Sequence, residues 1–185
     1  YGKKGGAADQ AKGDGTVDIK GDSKYVTVAY NRFWDNGKAS MCGMKSETGE
    51  NWITYHHNWF DHSDSRMARV RTMSVHMYNN YYQHCDVYGI GATSGSSVFM
   101  ESNYFDAVKR PIMSSLQGTD AMGDGTFSGE KGGLIKAYGN VFANKPDNFS
   151  YITYANNNTS FDAYEVSAPS EQVPSSVKTL VGGTS

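Results

Sequence analysis

Five stretches of this chain close on the same signature: a few β-forming residues, then Asn, any residue, and an aromatic ring. They run Tyr25–Phe33 around Asn31, Trp52–Phe60 around Asn58, Val75–Tyr82 around Asn80, Val98–Phe105 around Asn103, and Leu134–Phe142 around Asn140. The asparagines stand 27, 22, 23 and 37 residues apart. A period in the low twenties is too short for a pair of packed helices and suits one coil of a β-solenoid. Coils stack at the inter-strand distance of about 4.8 Å, which lets equivalent Asn side chains hydrogen-bond along the axis. The aromatics two positions on are then expected to stack inside. Asn also suits the left-handed backbone of a tight bend, so the repeated Asn is the expected bend residue. A β-sandwich with turn asparagines would explain the strands but not the recurrence of Asn-x-aromatic in one place.

Composition agrees. Thirteen Tyr and 21 Gly against four Pro read as short strands joined by tight turns. Net charge is −2 with 19% charged residues, so no global field argues for nucleic acid or an anionic membrane. No apolar run approaches the length of a bilayer span. Cys42 and Cys85 make one pair, compatible with a bridge in an oxidising compartment but no disulfide framework; Cys42, among apolar neighbours, reads as a small buried residue.

The longer gaps imply loops leaving the coil, one between Lys38 and Asn51 and one between Ser114 and Gly133, of the kind that shape a groove on one side of a solenoid. The reading of the whole is a single unit: residues 1–13 an exposed Gly-rich loop, 14–160 coils, 161–185 a C-terminal cap or tail. Because a solenoid needs a cap at each end and this chain enters a coil at once, N-terminal coils are expected before residue 1.

Three clusters carry candidate chemistry. Asp14-Gly-Thr-Val-Asp18 offers two carboxylates to a hard cation such as Ca²⁺, provided the chain bends near Gly15, since a straight strand would hold them about 13 Å apart. Taken alone, Asp-Gly is a common turn. Lys38 is a lone loop lysine, a type that is usually solvated. Arg66-Met-Ala-Arg69-Val-Arg71 places three arginines in six residues; a solvated strand face competes evenly there with a binding role. Arg66 and Arg71 are five apart, so a turn between them is needed to bring both to one groove. Among the five histidines, His56 and His57, adjacent on a strand, are expected to point to opposite sides and so not to chelate jointly, and His62, His76 and His84 lack a tight metal-ligand spacing; structural or hydrogen-bonding roles are expected for all five, with room for one to line the groove.

Taken in order, Asp14-Gly-x-x-Asp18-Ile, Tyr25-Val-Thr-Val, Lys38-x4-Gly43, Ile53-Thr-Tyr-His-His-Asn58-x-Phe60, Arg66-x-x-Arg69-Val-Arg71 and Val75-His76-x-Tyr-Asn-Asn80-Tyr-Tyr resemble the pectate lyase superfamily, polysaccharide lyase family 1. The resemblance spans at least Asp14 to Pro111. It implies an all-β, right-handed parallel β-helix, here the C-terminal portion of the catalytic domain. It implies calcium-dependent eliminative cleavage of polygalacturonate, with Asp14 and Asp18 as Ca²⁺ ligands, Lys38, Arg69 and Arg71 as binders of substrate carboxylate, and Arg66 as the base. A further calcium ligand of the family, one coil earlier, has no counterpart in this sequence. Ala68 stands where the family usually carries Pro, and Met73 where Gly is common.

An arginine base implies an alkaline optimum, because guanidinium stays protonated at ordinary pH. The implied partner is pectin or polygalacturonate, with no nucleic acid and no membrane, and the implied location is secreted and extracellular. A separate N-terminal fragment of the same protein is a further expected partner that would complete the helix. Rivals are a pectin lyase, which works without calcium and is disfavoured by Asp14 and Asp18; a polygalacturonase, which needs clustered carboxylates rather than a basic cluster; and a non-catalytic β-helix that binds acidic polysaccharide.

Overall fold

The computed structural model describes residues 15–44, 47–48, 50–93, 95–114 and 132–154. Among the described residues sixteen short strands, most of three residues, repeat in threes: β1 (Val17–Ile19), β2 (Thr27–Ala29), β3 (Arg32–Trp34), then β4 (Ser40–Cys42), β5 (Ile53–His56), β6 (Trp59–Asp61). The next coils are β7 (Arg69–Arg71), β8 (Ser74–Tyr78), β9 (Tyr81–Gln83); β10 (Ile90–Thr93), β11 (Ser97–Glu101), β12 (Tyr104–Asp106); and β13 (Ile112–Ser114), β14 (Leu134–Tyr138), β15 (Val141–Ala143). Strand β16 (Ile152–Tyr154) opens the next.

Each strand pairs in parallel with its equivalents one coil away, giving three sheets in the orders β1-β4-β7-β10-β13-β16, β2-β5-β8-β11-β14 and β3-β6-β9-β12-β15, here called first, second and third. This is a parallel β-helix, with the right-handed sense that parallel crossovers adopt. No helix among the described residues is long and apolar enough to cross a membrane.

The Asn-x-aromatic signature builds the interior as expected. Asn58 Nδ2 donates to Asn80 Oδ1, Asn80 Nδ2 to Asn103 Oδ1 and Asn103 Nδ2 to Asn140 Oδ1, each at 3.0 Å. Each of these donors also reaches a carbonyl of the preceding coil, at Val28, Tyr55 and Met77. The backbone N–H of Asn58, Asn80 and Asn103 donates to the next Asn Oδ1 as well, so the ladder satisfies buried polar groups through its full length. Beside it runs an aromatic column, Phe33–Phe60–Tyr82–Phe105–Phe142, with ring centroids 4.7, 4.9, 4.5 and 5.3 Å apart and near-parallel planes. Offset stacking of this kind adds about 0.5–1.5 kcal/mol per pair beyond area burial.

One expectation is corrected here. The left-handed residue at this corner is the one before the ladder Asn: Tyr30, His57, Asn79, Ser102 and Gly139 have φ between 51° and 61°. Asn keeps an ordinary backbone because its side chain must point inward to meet the next rung. The loop expected between Lys38 and Asn51 is also partly coil, since β4 occupies Ser40–Cys42. Within it Glu47 is buried and bound by Gly21 N at 3.0 Å, Met44 N at 2.9 Å and Thr72 Oγ1 at 2.7 Å. Desolvation pushes the Glu47 carboxyl up, but the hydrogen bonds from Thr72, Met44 and Gly21 outweigh it and bring the pKa down to about 2.

Cys42 and Cys85 are free and buried, each against a Met sulfur. Burial, and then the charge of Glu47, pushes the Cys42 thiol up to about 12. The segments 1–13, 115–131 and 161–185, which carry the N-terminal loop, most of the second loop and the tail, lie outside the described residues.

Candidate active site on the first sheet

Side chains of a strand alternate between faces, so on β1, β4 and β7 the inward positions are Ile19, Cys42 and Val70, and the outward ones Asp18, Met41 and Arg69. Register pairs Asp18 with Met41, Met41 with Arg69, Arg69 with Gly91 and Gly91 with Met113, one outward row across five strands. Asp18 and Arg69 are therefore two strand steps apart, about 10 Å. Arg71, two residues beyond Arg69, shares its face and pairs with Thr93.

Lys38 precedes β4 and forms a parallel bridge with Ser65. Ala39 N bonds Ser65 O at 3.1 Å and Ser40 N bonds Arg66 O at 2.7 Å, so the Lys38 and Arg66 segments are laced together across adjacent coils. The Ser65 hydroxyl donates to the Gly37 carbonyl at 3.0 Å and fixes the peptide just before Lys38. Between Arg66 (φ 63°) and β7 the chain turns at Met67–Ala68, whose peptide is cis, as the required bend between Arg66 and Arg71 foresaw.

Lys38, Arg69 and Arg71 are not solvated. Lys38 is 8% exposed, Arg69 3% and Arg71 5%, and all three residues of β7 are buried. Arg66 is half-buried and is the least enclosed of the four cations. The reading of Lys38, Arg69 and Arg71 as ordinary surface charges therefore fails.

Two glycines shape this face. A Cβ on Gly43 (φ 84°) would lie 1.9 Å from the Arg71 carbonyl oxygen, so only glycine lets the two coils approach there. A Cβ on Gly91 would lie 2.9 Å from the ring of Tyr88, which occupies the place of a side chain in the outward row and packs with Met113 and Val87. Ser65, Tyr88 and Glu47 carried no sequence signal. They lie in turns with no periodic partner, and only the stacking of coils reveals what they touch.

The acidic end is open. Asp18 is a third exposed, with Lys20 Nζ 3.7 Å from its carboxylate. Gly15 has φ 29°, and a Cβ there would stand 3.0 Å from Asp18 Oδ1. Asp14 lies outside the described residues. Among the described residues no group of three or more His, Cys, Asp or Glu converges on one point. The described part of the Asp14–Asp18 pair is one open carboxylate folded over a glycine, an oxygen donor of the type a hard cation takes.

A family model described as pectate lyase matches residues 2–178. The chain belongs to the pectate lyase family. It is 36% identical over 102 residues to a pectate trisaccharide-lyase of Bacillus licheniformis, covering 55% of this chain and 30% of that protein. It is 30% identical over 187 residues to pectate lyase E of Dickeya chrysanthemi, covering 92% and 43%. Among solved structures, a pectate lyase of Bacillus sp. N165 in complex with trigalacturonate superposes with a TM-score of 0.66 at 31% identity, covering 92% of this chain and 52% of the other. This pectate lyase family member thus spans between about a third and about half the length of these relatives.

Proposed function

We propose that this chain carries the basic groove of a lyase that cleaves polygalacturonate by calcium-dependent β-elimination. The observation that carries the reading is the cluster of enclosed cations on the first sheet, Lys38, Arg69 and Arg71, with the more accessible Arg66 laced to the Lys38 segment. It is supported by membership in the pectate lyase family.

Galacturonate bears a carboxylate next to C5, and removing the C5 proton adds negative charge to a group already negative. Lys38, Arg69 and Arg71 hold that carboxylate and offset the growing charge in surroundings where solvent screening is weak. Removing one such partner costs about 3 kcal/mol in barrier, near a hundredfold in rate. Arg66, in its deprotonated form, takes the C5 proton; the C4–O bond breaks, C4 and C5 become doubly bonded, and the departing oxygen takes a proton from solvent. Asp14 and Asp18 would hold Ca²⁺, which would supply further neutralisation of substrate carboxylates when bound. As the polymer lies outside cells, the protein acts as a secreted one.

The test is ultraviolet absorbance of the unsaturated product from polygalacturonate at alkaline pH, with calcium and then with excess chelator. Absorbance that appears with calcium, vanishes with chelator and is lost in Arg66→Ala supports the reading. Binding of polygalacturonate without absorbance, equal in both proteins, would make the chain a binder of acidic polysaccharide instead.

A further inference from the structure

The second sheet carries an arrangement that the lyase reading does not use. His56 ends β5 on the outer face, and His57 was expected on the opposite side. Instead, His57 has φ 53°, the strand ends there, and the bend swings its ring back beside that of His56. The two Nδ1 atoms stand 2.9 Å apart, with the ring planes at 89° and the centroids 5.1 Å apart. That spacing falls within the range of neighbouring ligands on one transition-metal ion: at bond lengths of about 2.0–2.1 Å, ligands between 90° and 109° apart are separated by about 2.8–3.4 Å.

Both rings are held. Tyr30 stacks on His57 at 5.2 Å and meets His56 edge-on at 5.3 Å, while Tyr78 stacks on His56 at 4.9 Å. Both imidazoles are half-buried and keep some access to solvent. Burial lowers the pKa of each; the neighbouring His76 lowers His56 further, and His56 does the same to His57. The same corner in the other coils holds Ala29–Tyr30, Tyr78–Asn79, Glu101–Ser102 and Tyr138–Gly139, and only the second coil offers two imidazoles.

We propose that His56 and His57 form a two-histidine site for a divalent transition-metal ion such as Zn²⁺, bound through both Nδ1 atoms on the outer face of the second sheet, with water completing the coordination. In the metal-free pair one Nδ1 carries a hydrogen directed at the other. Binding needs both Nδ1 lone pairs, so that hydrogen relocates through solvent to Nε2 of the same ring, and the neutral pair releases no net proton. A hard ion such as Ca²⁺ prefers oxygen and does not compete. The site lies on a different sheet from Asp18 and the arginines, so it stands or falls apart from the lyase reading.

The experiment is calorimetric titration of the whole chain with Zn²⁺ in excess Ca²⁺. It is run in a His62→Gln/His84→Gln background, because those two rings stack 4.8 Å apart on the third-sheet side and could bind metal themselves. The expected result is one saturable equivalent, weakened at least tenfold by His56→Gln and also by His57→Asn, a residue that tolerates the left-handed backbone. His76→Gln is expected to leave binding within threefold, and melting curves check that each variant is folded. Binding absent in the background, or unchanged in both folded variants, overturns the proposal.

Discussion

Replacing Asn80 by Ala tests whether the ladder holds the coils together. Its side chain takes part in four hydrogen bonds: Oδ1 accepts from Asn58 N and Asn58 Nδ2, and Nδ2 donates to Tyr55 O and Asn103 Oδ1. All lie at a fully buried site. At a net value of about 1 kcal/mol each, their loss costs about 4 kcal/mol, and the stranded Asn58 amide pushes the figure upward. Asn31, at the first rung, is exposed and donates only to Ala29 O and Asn58 Oδ1. Asn31→Ala should cost below about 1 kcal/mol. Urea unfolding followed by far-ultraviolet circular dichroism and by tryptophan fluorescence measures both; coincident transitions license a single free energy, since coil proteins can unfold in parts. Equal losses for Asn31→Ala and Asn80→Ala would refute the ladder as a main source of cohesion and shift the weight to the aromatic column.

Glu47 contributes a pH dependence of known sign. Its folded pKa, about 2, lies below the ordinary 4.5, so its stabilisation is complete above about pH 4.5 and fades as pH falls towards 2; the gap in urea midpoint between wild type and Glu47→Gln should close over that window. Gly43→Ala should destabilise by about 3 kcal/mol, from the left-handed backbone and the clash with the Arg71 carbonyl, and, if the proposed function holds, should slow polygalacturonate cleavage by moving Arg71. Gly21→Ala, also left-handed but with nothing within 4 Å, should cost only about 1 kcal/mol, and melting curves compare the two.

The second and third sheets were legible because their corner repeats a chemical demand: an amide that must meet its copy, followed by a ring that must stack on its copy. The first sheet repeats no such signature. Its outward row reads Asp18, Met41, Arg69, Gly91, Met113, with no residue recurring from one coil to the next, because that face is free to be chosen for what it meets rather than for what it stacks on. The arginine cluster and Lys38 stood out as candidates, but only the resemblance tipped them from solvated charges to a binding role, since charge in a loop or strand says nothing of burial. His57 was misplaced for a simpler reason. Strand alternation applies only while the strand continues, and a left-handed residue ends it.

The ladder and the aromatic column run along the second and third sheets, whereas the cluster of cations belongs to the first. Strength and chemistry thus occupy different walls of one tube. Over evolutionary time a lineage could exchange the outward residues of the first sheet, or lengthen the turns beside it, without disturbing a single rung. Descendants of such a scaffold can diverge in what they cut or hold while remaining superposable coil for coil, and their interior asparagines would preserve a record of common descent after their grooves had ceased to resemble one another.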